Sequence, residues 1–108
     1  KSGGERIMTL AELKTILEAT GIPVAYRFFT ERQAPPFICY YVYDTDNVGA
    51  DGGVYYEVSN IRVELYTELK NQELEKAVET ALTGFFYNKS ETYVSTEKVY
   101  QIIYEIEV

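Results

Sequence analysis

Two stretches of the chain carry apolar residues at the spacing of an amphipathic helix. The first begins at Thr9, where the letters TLAE match a capping box, and it ends before Gly21, a residue suited to the left-handed backbone that closes a helix. In the second stretch, which follows Asn71, apolar residues recur three and four positions apart until Gly84. The spacing predicts one helix over residues 9–20 and another between Asn71 and Gly84, each with one apolar face.

Shorter apolar segments lie between and after these helices, and their aromatic and β-branched residues are typical of strands. The alternation is clearest where Ile61, Val63 and Leu65 share one face. The predicted strands are 24–29, 37–43, 54–67 with a bulge or bend at Asn60, 86–94 and 98–108. The segment 44–53 is rich in Asp, Asn and Gly, which predicts a turn or a long hairpin loop.

The predicted element order is therefore α-β-β-β-α-β-β. Because the strands are grouped between the helices instead of alternating with them, this order predicts an α+β fold with a mainly antiparallel sheet. Each helix has a single apolar stripe, so we expect both helices to cover the same face of the sheet. The 108 residues have the size of one domain, which we place at residues 8–108.

Residues 1–7 are polar and Gly-rich, and Met8 is the only methionine of the chain. Gly3, Gly4 and Glu5 can be encoded by a ribosome-binding sequence a few nucleotides upstream of the Met8 codon. Two alternatives stay open for this leader. It is either upstream or cloning sequence that is read through into the protein, or a flexible native tail.

The composition narrows the chemistry that the chain can perform. It has no histidine and a net charge of −7, so it lacks the commonest general base and metal ligand, and it has no basic cluster for nucleic acid. Cys39, the only cysteine, lies in an apolar run and is predicted to be a small buried residue. No apolar run approaches the length that crosses a bilayer. These observations predict a cytosolic protein that is not an enzyme and has no metal, cofactor, specific nucleic acid or membrane partner.

Two acidic patterns resemble functional sites. The segment that starts at Asp44 resembles a calcium loop, but Val48 and Tyr55 stand where calcium ligands are required, which predicts an acidic hairpin tip instead. Two acidic pairs resemble catalytic carboxylates and are predicted to lie on solvated faces. These pairs are Glu73 with Glu75 and Glu105 with Glu107.

Most of the eleven tyrosines fall on predicted strands. Tyr40 and Tyr41 are consecutive, as are Tyr55 and Tyr56, so one member of each pair points to the opposite face of the sheet. Two interpretations stay open. One is an exposed Tyr-rich sheet face that binds another protein, and the other is a thick aromatic core with a few incidental surface rings.

Segments spread over nearly all of residues 9–108 resemble small proteins of tailed bacteriophages and prophages of Gram-positive bacteria. These segments are 22–26, 34–41, 44–51, 54–56, 63–67, 86–87, 90–93 and 100–104. Proteins of this size and element order are similar to the tail terminator, or tail-completion, family, which caps the tail tube and joins it to the head.

The resemblance implies a structural protein of the virion head–tail junction that is assembled in the cytoplasm of a bacterial host. It implies a ring of identical subunits, typically six-fold in that family, with the tail tube protein and the head connector protein as further partners. Two alternatives stay open. One is a head-completion or other connector protein, and the other is a small acidic regulatory or inhibitory protein that binds a host protein.

Loops that reach a neighbouring copy are the natural candidates for contacts in such a ring. The candidate interface residues are Arg32, Pro35, Pro36, Asp44, Asp46, Asn47, Asp51, Tyr55 and Tyr56. In a ring through which DNA passes, acidic side chains can also line the channel and repel the DNA. The candidates for that position are Glu31, Asp44, Asp46 and Asp51. The alternative is that the acidic charge only keeps the protein soluble.

Overall fold

The computed structural model describes residues 9–49 and 55–107. Its two helices and five strands follow one another in the predicted order, α-β-β-β-α-β-β, and the fold is α+β as predicted. The elements are α1 (Leu10–Glu18), β1 (Val24–Tyr26), β2 (Phe37–Gly49), β3 (Tyr55–Thr67), α2 (Gln72–Ala81), β4 (Asn88–Val94) and β5 (Val99–Glu107).

The five strands form one sheet in the spatial order β1-β2-β3-β5-β4. β1 runs parallel to β2, and the other neighbouring strands are antiparallel. The register places Ile38, Leu65 and Ile102 side by side on three adjacent strands, and all three are fully buried. Period-2 alternation therefore assigns one face of the sheet to the core, as the sequence pattern predicts.

The hydrophobic core lies between this face and the two helices. Leu13 and Leu17 of α1, together with Val78 of α2 and Leu82 at its end, are fully buried against the strands. Tyr104 of β5 is buried as well. Both helices thus cover the same face, which leaves the other face without a helix among the described residues. We call that second surface the helix-free face.

Both helix starts and both helix ends follow the predicted chemistry. The Thr9 hydroxyl accepts a hydrogen bond from the Glu12 amide at 3.1 Å, and the Glu12 carboxylate accepts one from the Thr9 amide at 2.9 Å. Asn71 caps α2 through its side chain. Gly21 and Gly84 follow the two helices with φ values of 82° and 100°, a conformation that suits glycine.

Several strand boundaries differ from the sequence-based prediction. β1 ends at Tyr26 instead of residue 29, because Arg27 takes a left-handed φ of 68° that breaks the strand. β4 begins at Asn88 instead of residue 86. The largest error concerns residues 44–49, which were predicted as loop but continue β2. Their backbone pairs with residues 55–60 of β3, and this pairing does not depend on apolar side chains.

The irregularity predicted at Asn60 falls on the neighbouring strand. The register between β2 and β3 shifts between Val42 and Asp44, so Tyr43 is an extra residue opposite the step from Asn60 to Ile61. A bulge of this kind bends and twists the strand that carries it. The bend therefore lies where the two strands leave the rest of the sheet.

Glu75 corrects the prediction that the acidic pair on α2 is solvated. Glu73 is exposed, but Glu75 is only 3% exposed, since α2 turns it toward β4 and β5. Lys70 and Lys89 donate to its two carboxylate oxygens at 2.7 and 2.9 Å, which satisfies the buried charge. In the second acidic pair Glu105 is half-buried and Glu107 is exposed.

Candidate assembly surfaces

Two strands of the sheet extend beyond their neighbours and form an arm, defined here as Asp44–Gly49 of β2 with Tyr55–Ser59 of β3. Within the described residues, β5 pairs with β3 as far as Asn60, and β1 pairs with residues 38–40 of β2. Six residues of strand span about 20 Å, and the molecule measures 52 × 24 × 24 Å. Because a two-stranded ribbon is only marginally stable by itself, contact with a partner would stabilise this arm.

Three contacts fix the base of the arm. The Asn60 amide donates to the Asp46 carboxylate at 2.9 Å, and the Thr45 backbone amide donates to Asp44 at 2.8 Å. The Arg62 guanidinium lies 4.7 Å from the centre of the Tyr43 ring. Asp44 and Asp46 are exposed, and neither forms an ion pair with a lysine or arginine of the described residues. The arm therefore presents carboxylates whose charge is not neutralised.

The structure brings most of the acidic and aromatic interface candidates together on this arm. Asp44, Asp46 and Asn47 lie on its β2 half, and Tyr55 and Tyr56 lie on its β3 half. They are strand residues, whereas the sequence placed Asp44, Asp46 and Asn47 in a loop. The predicted acidic hairpin tip includes Asp51, which lies outside the described residues.

A cleft of about 350 Å³ lies on the helix-free face, under the segment that joins β1 to β2. Phe29 packs edge-on against Phe37, with ring centres 5.5 Å apart, and Phe37 stacks on Tyr66 at 4.8 Å. Arg27 and Arg32 complete the cleft and are both exposed. We call this surface the arginine cleft. It combines an aromatic floor with a positively charged rim, which is the composition of many protein-binding pockets.

The two arginines of the cleft have no acidic partner among the described residues. The Arg27 guanidinium lies 5.3 Å from the ring centre of Tyr41, and one of its nitrogens is 3.4 Å from the Val42 carbonyl oxygen. For Arg32 no ion pair or ring contact occurs in this part of the chain. Both guanidinium groups are therefore available to a carboxylate from another molecule.

The sequence pattern points to Arg32 but not to the rest of this cleft. It predicts Phe29, Phe37 and Tyr66 as ordinary strand residues. The one available signal was the aromatic pair at 28–29 between two arginines, directly before two prolines. Phe29 contacts Phe37 only because the segment between β1 and β2 folds back onto the sheet, and the sequence pattern does not predict that fold.

Other predicted interface and channel residues lie apart from one another. Pro35 and Pro36 border a separate groove of about 210 Å³ with Leu69, so they do not share the arginine cleft with Arg32. Glu31 borders the arginine cleft and not the arm that carries Asp44 and Asp46. Of the acids proposed for a channel, Glu31 therefore lies apart from Asp44 and Asp46 within a single copy.

A hydrogen-bonded network covers the rest of the helix-free face. The Glu64 carboxylate is only 7% exposed and accepts hydrogen bonds from the hydroxyls of Tyr41 at 3.0 Å and Tyr66 at 2.7 Å. Gln101 donates to the Tyr66 oxygen at 2.9 Å. Burial, followed by the bond to Glu64, raises the pKa of Tyr66, so its hydroxyl stays protonated at neutral pH. These hydrogen bonds fix the positions of the Glu64, Tyr41 and Tyr66 side chains on this face.

Arg62 ties the same face to β5. Two of its guanidinium nitrogens donate to one carboxylate oxygen of Glu105 at 2.7 and 3.1 Å. These bonds raise the pKa of Arg62 further, so its guanidinium stays charged. Both side chains are about one-third exposed. This pair stiffens the sheet where the arm departs.

Cys39 forms part of the floor of the arginine cleft and is buried, as predicted. Burial, with a smaller effect of the Glu64 charge, raises the pKa of its thiol to about 11. Since the thiolate is the nucleophilic form of cysteine, this side chain is poorly suited to covalent chemistry.

The tyrosines divide between core and surface. Tyr40 is buried and Tyr41 points to the helix-free face, as their consecutive positions predict. Tyr104 is buried as well, whereas Tyr43 and Tyr93 are exposed. The structure thus contains both buried and exposed tyrosines, and binding of another protein by the exposed ones stays a prediction. Part of the set fills the core and part lies on the surface.

Within residues 9–49 and 55–107, no group of three or more Cys, Asp or Glu side chains is arranged to hold a metal ion. Asp51 lies outside this part of the chain, so the absence of a calcium site stays a prediction. Among the same residues no helix is both long and apolar enough to cross a membrane.

Comparison with solved structures finds a similar fold in a chain of a virion structure. A chain in a structure described as the virion of a native gene transfer agent (GTA) particle superposes with a TM-score of 0.62, over 84% of this chain and 81% of that chain. The two sequences are 14% identical over this match, so the likeness shows a shared fold. No family model matches the sequence, and no curated protein matches it.

Proposed function

We propose that this protein is a non-enzymatic structural component of a phage-like virion, and that it caps the tail tube and joins the tail to the head. The observation that carries the proposal is the shared fold with a chain of the gene transfer agent virion over 84% of this chain. The position at the head–tail junction comes from the sequence resemblance to tail terminator proteins. The proposed partners are further copies in a six-fold ring, the tail tube protein and the head connector protein.

The surfaces of the chain suit such a role. A closed ring of identical subunits needs two different surfaces on each copy, one that contacts the preceding subunit and one that contacts the next. The arm and the arginine cleft are two such surfaces, since they differ in charge and lie on different parts of the fold. The rest of the surface stays available for the tail tube and the head connector.

The proposal is tested by deleting the gene in a host that produces the particles and examining the products by electron microscopy. We expect heads and tails that are not joined, or tails of irregular length. Wild-type protein supplied in trans should restore joined particles. A variant that lacks residues 46–52 should fold and fail to restore them, and labelled protein should lie at the junction.

Other outcomes would identify the alternatives. Empty heads that have lost their DNA, with tails of normal length, would indicate a head-completion protein. Normal joined particles without the gene, together with no labelled protein on the virion, would contradict a structural role. That result would favour a regulatory protein that binds a host protein.

The channel position of the acidic residues remains a separate proposal. If Asp44, Asp46 and Asp51 face the DNA, replacing all three with Asn should slow DNA ejection while tails assemble normally. Loss of tails alone, or unchanged ejection, would argue against a channel position. Glu31 borders the arginine cleft, so its replacement with Gln serves as a comparison.

A further inference from the structure

We propose that the arm of one copy docks in the arginine cleft of a second copy, so that Asp44 and Asp46 pair with Arg27 and Arg32. This inference rests on the proposed function in that it names the contact through which copies would form a ring. It commits the cleft to one occupant, a second molecule of this same chain.

The first argument is complementary charge. Residues 44–59 contain four acidic residues and no basic residue. The arginine cleft carries two arginines and one acid, Glu31. An arginine fork binds a carboxylate through parallel hydrogen bonds, which makes arginine the side chain best suited to this partner.

The second argument is that both sets of charges lack ion-pair partners within the described residues of one copy. Eight basic residues lie in the described part of the chain, and four of them pair with carboxylates there. The four without an ion pair in that part are Arg27, Arg32, Lys76 and Lys98. Two of these four share one cleft, and Asp44 and Asp46 of the arm also lack a cation. A contact between copies would neutralise both sets together.

The third argument is that, within one copy, the arm extends away from the aromatic floor of its own cleft. β2 contributes Phe37 and Cys39 to the cleft and continues as one strand into the arm. Asp46 lies seven residues beyond Cys39, about 23 Å along an extended strand. Asp46 therefore lies far from the floor of its own cleft, and Arg27, which reaches Val42 two residues before Asp44, forms no ion pair with the arm within the described residues. Another copy can supply the arm, and because arm and cleft are different surfaces the contact is head-to-tail and can close into a ring.

The fourth argument is the shape of the cleft. Its volume of about 350 Å³ and its floor of Phe29, Phe37 and Tyr66 suit the end or side of a narrow ribbon. Phe28, which is 69% exposed, lies beside it and would lose this exposure on docking. An apolar floor under a charged rim gives both contact area and a defined orientation.

The test exchanges the charges of the two surfaces. One variant carries D44K and D46K on the arm, and the other carries R27E and R32E in the cleft. Each variant alone would place like charges against each other in every contact. In an equal mixture, the reversed arm of the first variant can bind the reversed cleft of the second. The unchanged arm of the second variant can bind the unchanged cleft of the first. Both contacts join opposite charges.

Self-association is measured by sedimentation at low salt over a concentration series. We expect the wild-type protein to associate, each variant alone to associate at least about tenfold more weakly, and the mixture to recover wild-type association. K76E/K98E is the matched control, since it also reverses two unpaired basic residues, but outside the cleft. It should behave as the wild-type protein does.

Thermal unfolding establishes that each variant is folded. Because Arg27 has an unusual backbone conformation, R32E alone serves as a second cleft variant and should weaken association in the same direction. The proposal is overturned if the wild-type protein remains a monomer throughout the series. It is also overturned if the variants associate as the wild-type protein does, or if mixing them restores nothing.

The outcome separates this contact from the proposed function. If charge exchange restores association but particles without the gene are normal, the contact is supported and the virion role is wrong. If particles need the protein but charge exchange has no effect, the virion role stands and this contact is wrong.

Discussion

Replacing Glu75 with Gln tests how the buried charge under α2 contributes to stability. Glu75 is 3% exposed and accepts from Lys70 at 2.7 Å and from Lys89 at 2.9 Å. The substitution keeps the shape of the side chain but turns an amide group toward an ammonium group. Glu73 provides a matched control, because it lies in the same first turn of α2 and is exposed.

The magnitude follows from the two lysine contacts. A hydrogen bond to a charged group contributes about 1.5–3 kcal/mol, but both lysines keep more than a third of their side-chain exposure, which weakens each contact. We expect E75Q to lower the free energy of unfolding by about 2–3 kcal/mol. E73Q removes only a favourable charge at the helix start, about 0.5 kcal/mol. The midpoint of thermal unfolding should fall by about 10 °C and 2 °C, respectively.

The difference between the wild-type protein and E75Q should also depend on pH. Burial by itself would raise the pKa of Glu75, but the hydrogen bonds and charges of Lys70 and Lys89 outweigh it and hold this pKa below its usual value. A lowered pKa in the folded state contributes stability above the pKa of the unfolded chain, about 4.3. This contribution is lost as the pH falls through the folded value, so the two proteins should converge in acid.

The assay is urea unfolding followed by circular dichroism at several pH values, with the wild-type protein, E75Q and E73Q side by side. A loss in E75Q no larger than the loss in E73Q at neutral pH would show that the lysine contacts do not stabilise the fold. A difference that persists unchanged below the folded pKa would show that the ionised form of Glu75 is not its source.

Three further predictions concern the core, a helix end and the cysteine. Leu65→Ala should cost about 2–5 kcal/mol in urea unfolding because Leu65 is fully buried, whereas Leu69→Ala, at a site that is 78% exposed, should cost less than about 0.5 kcal/mol. Gly84→Ala should cost about 1–2 kcal/mol because of its φ of 100°, although no atom blocks the new methyl group, and an unchanged unfolding midpoint would contradict this. Cys39 should react slowly with a thiol reagent at pH 8 in the folded protein and rapidly in urea, since its folded pKa is about 11; equal rates would contradict its burial.

Sequence periodicity predicted the parts of this fold that bury an apolar face. The capping box at Thr9, the glycine after each helix and the alternation of Ile61, Val63 and Leu65 are local signals, and each is found in the structure. These signals work because burial of one face imposes a repeat of two residues on a strand and of 3.6 on a helix. Where a segment does not bury an apolar face, its hydrophobic pattern does not predict whether it forms a strand or a helix.

The arm and the buried Glu75 show where periodicity fails. Asp44 and Asp46 belong to a strand because its backbone pairs with β3, and their side chains are exposed there on a segment with turn-like composition. Glu75 is buried where Lys70 and Lys89, both outside its helix, pair with its carboxylate. Neither the two-residue repeat of a strand nor the 3.6-residue repeat of a helix reveals this pairing in the sequence. In both cases the decisive partner lies outside the helix or strand that carries the residue, so the repeat within that element does not report it.

The charged groups on the two faces of the sheet are paired in different ways. The charges that stay unpaired lie on the arm and the arginine cleft, the two surfaces of the proposed interface. Under the helices, the charge of Glu75 is neutralised by lysines from the same copy. On the helix-free face, Glu64 is saturated by tyrosine hydroxyls and Glu105 by Arg62. Burying a charge is costly unless it is paired, so the fold has paired the charges that it buries. The charges of the arm and the arginine cleft remain exposed and, within the described residues, unpaired. A second copy can therefore neutralise them without breaking any ion pair within the described residues of the monomer.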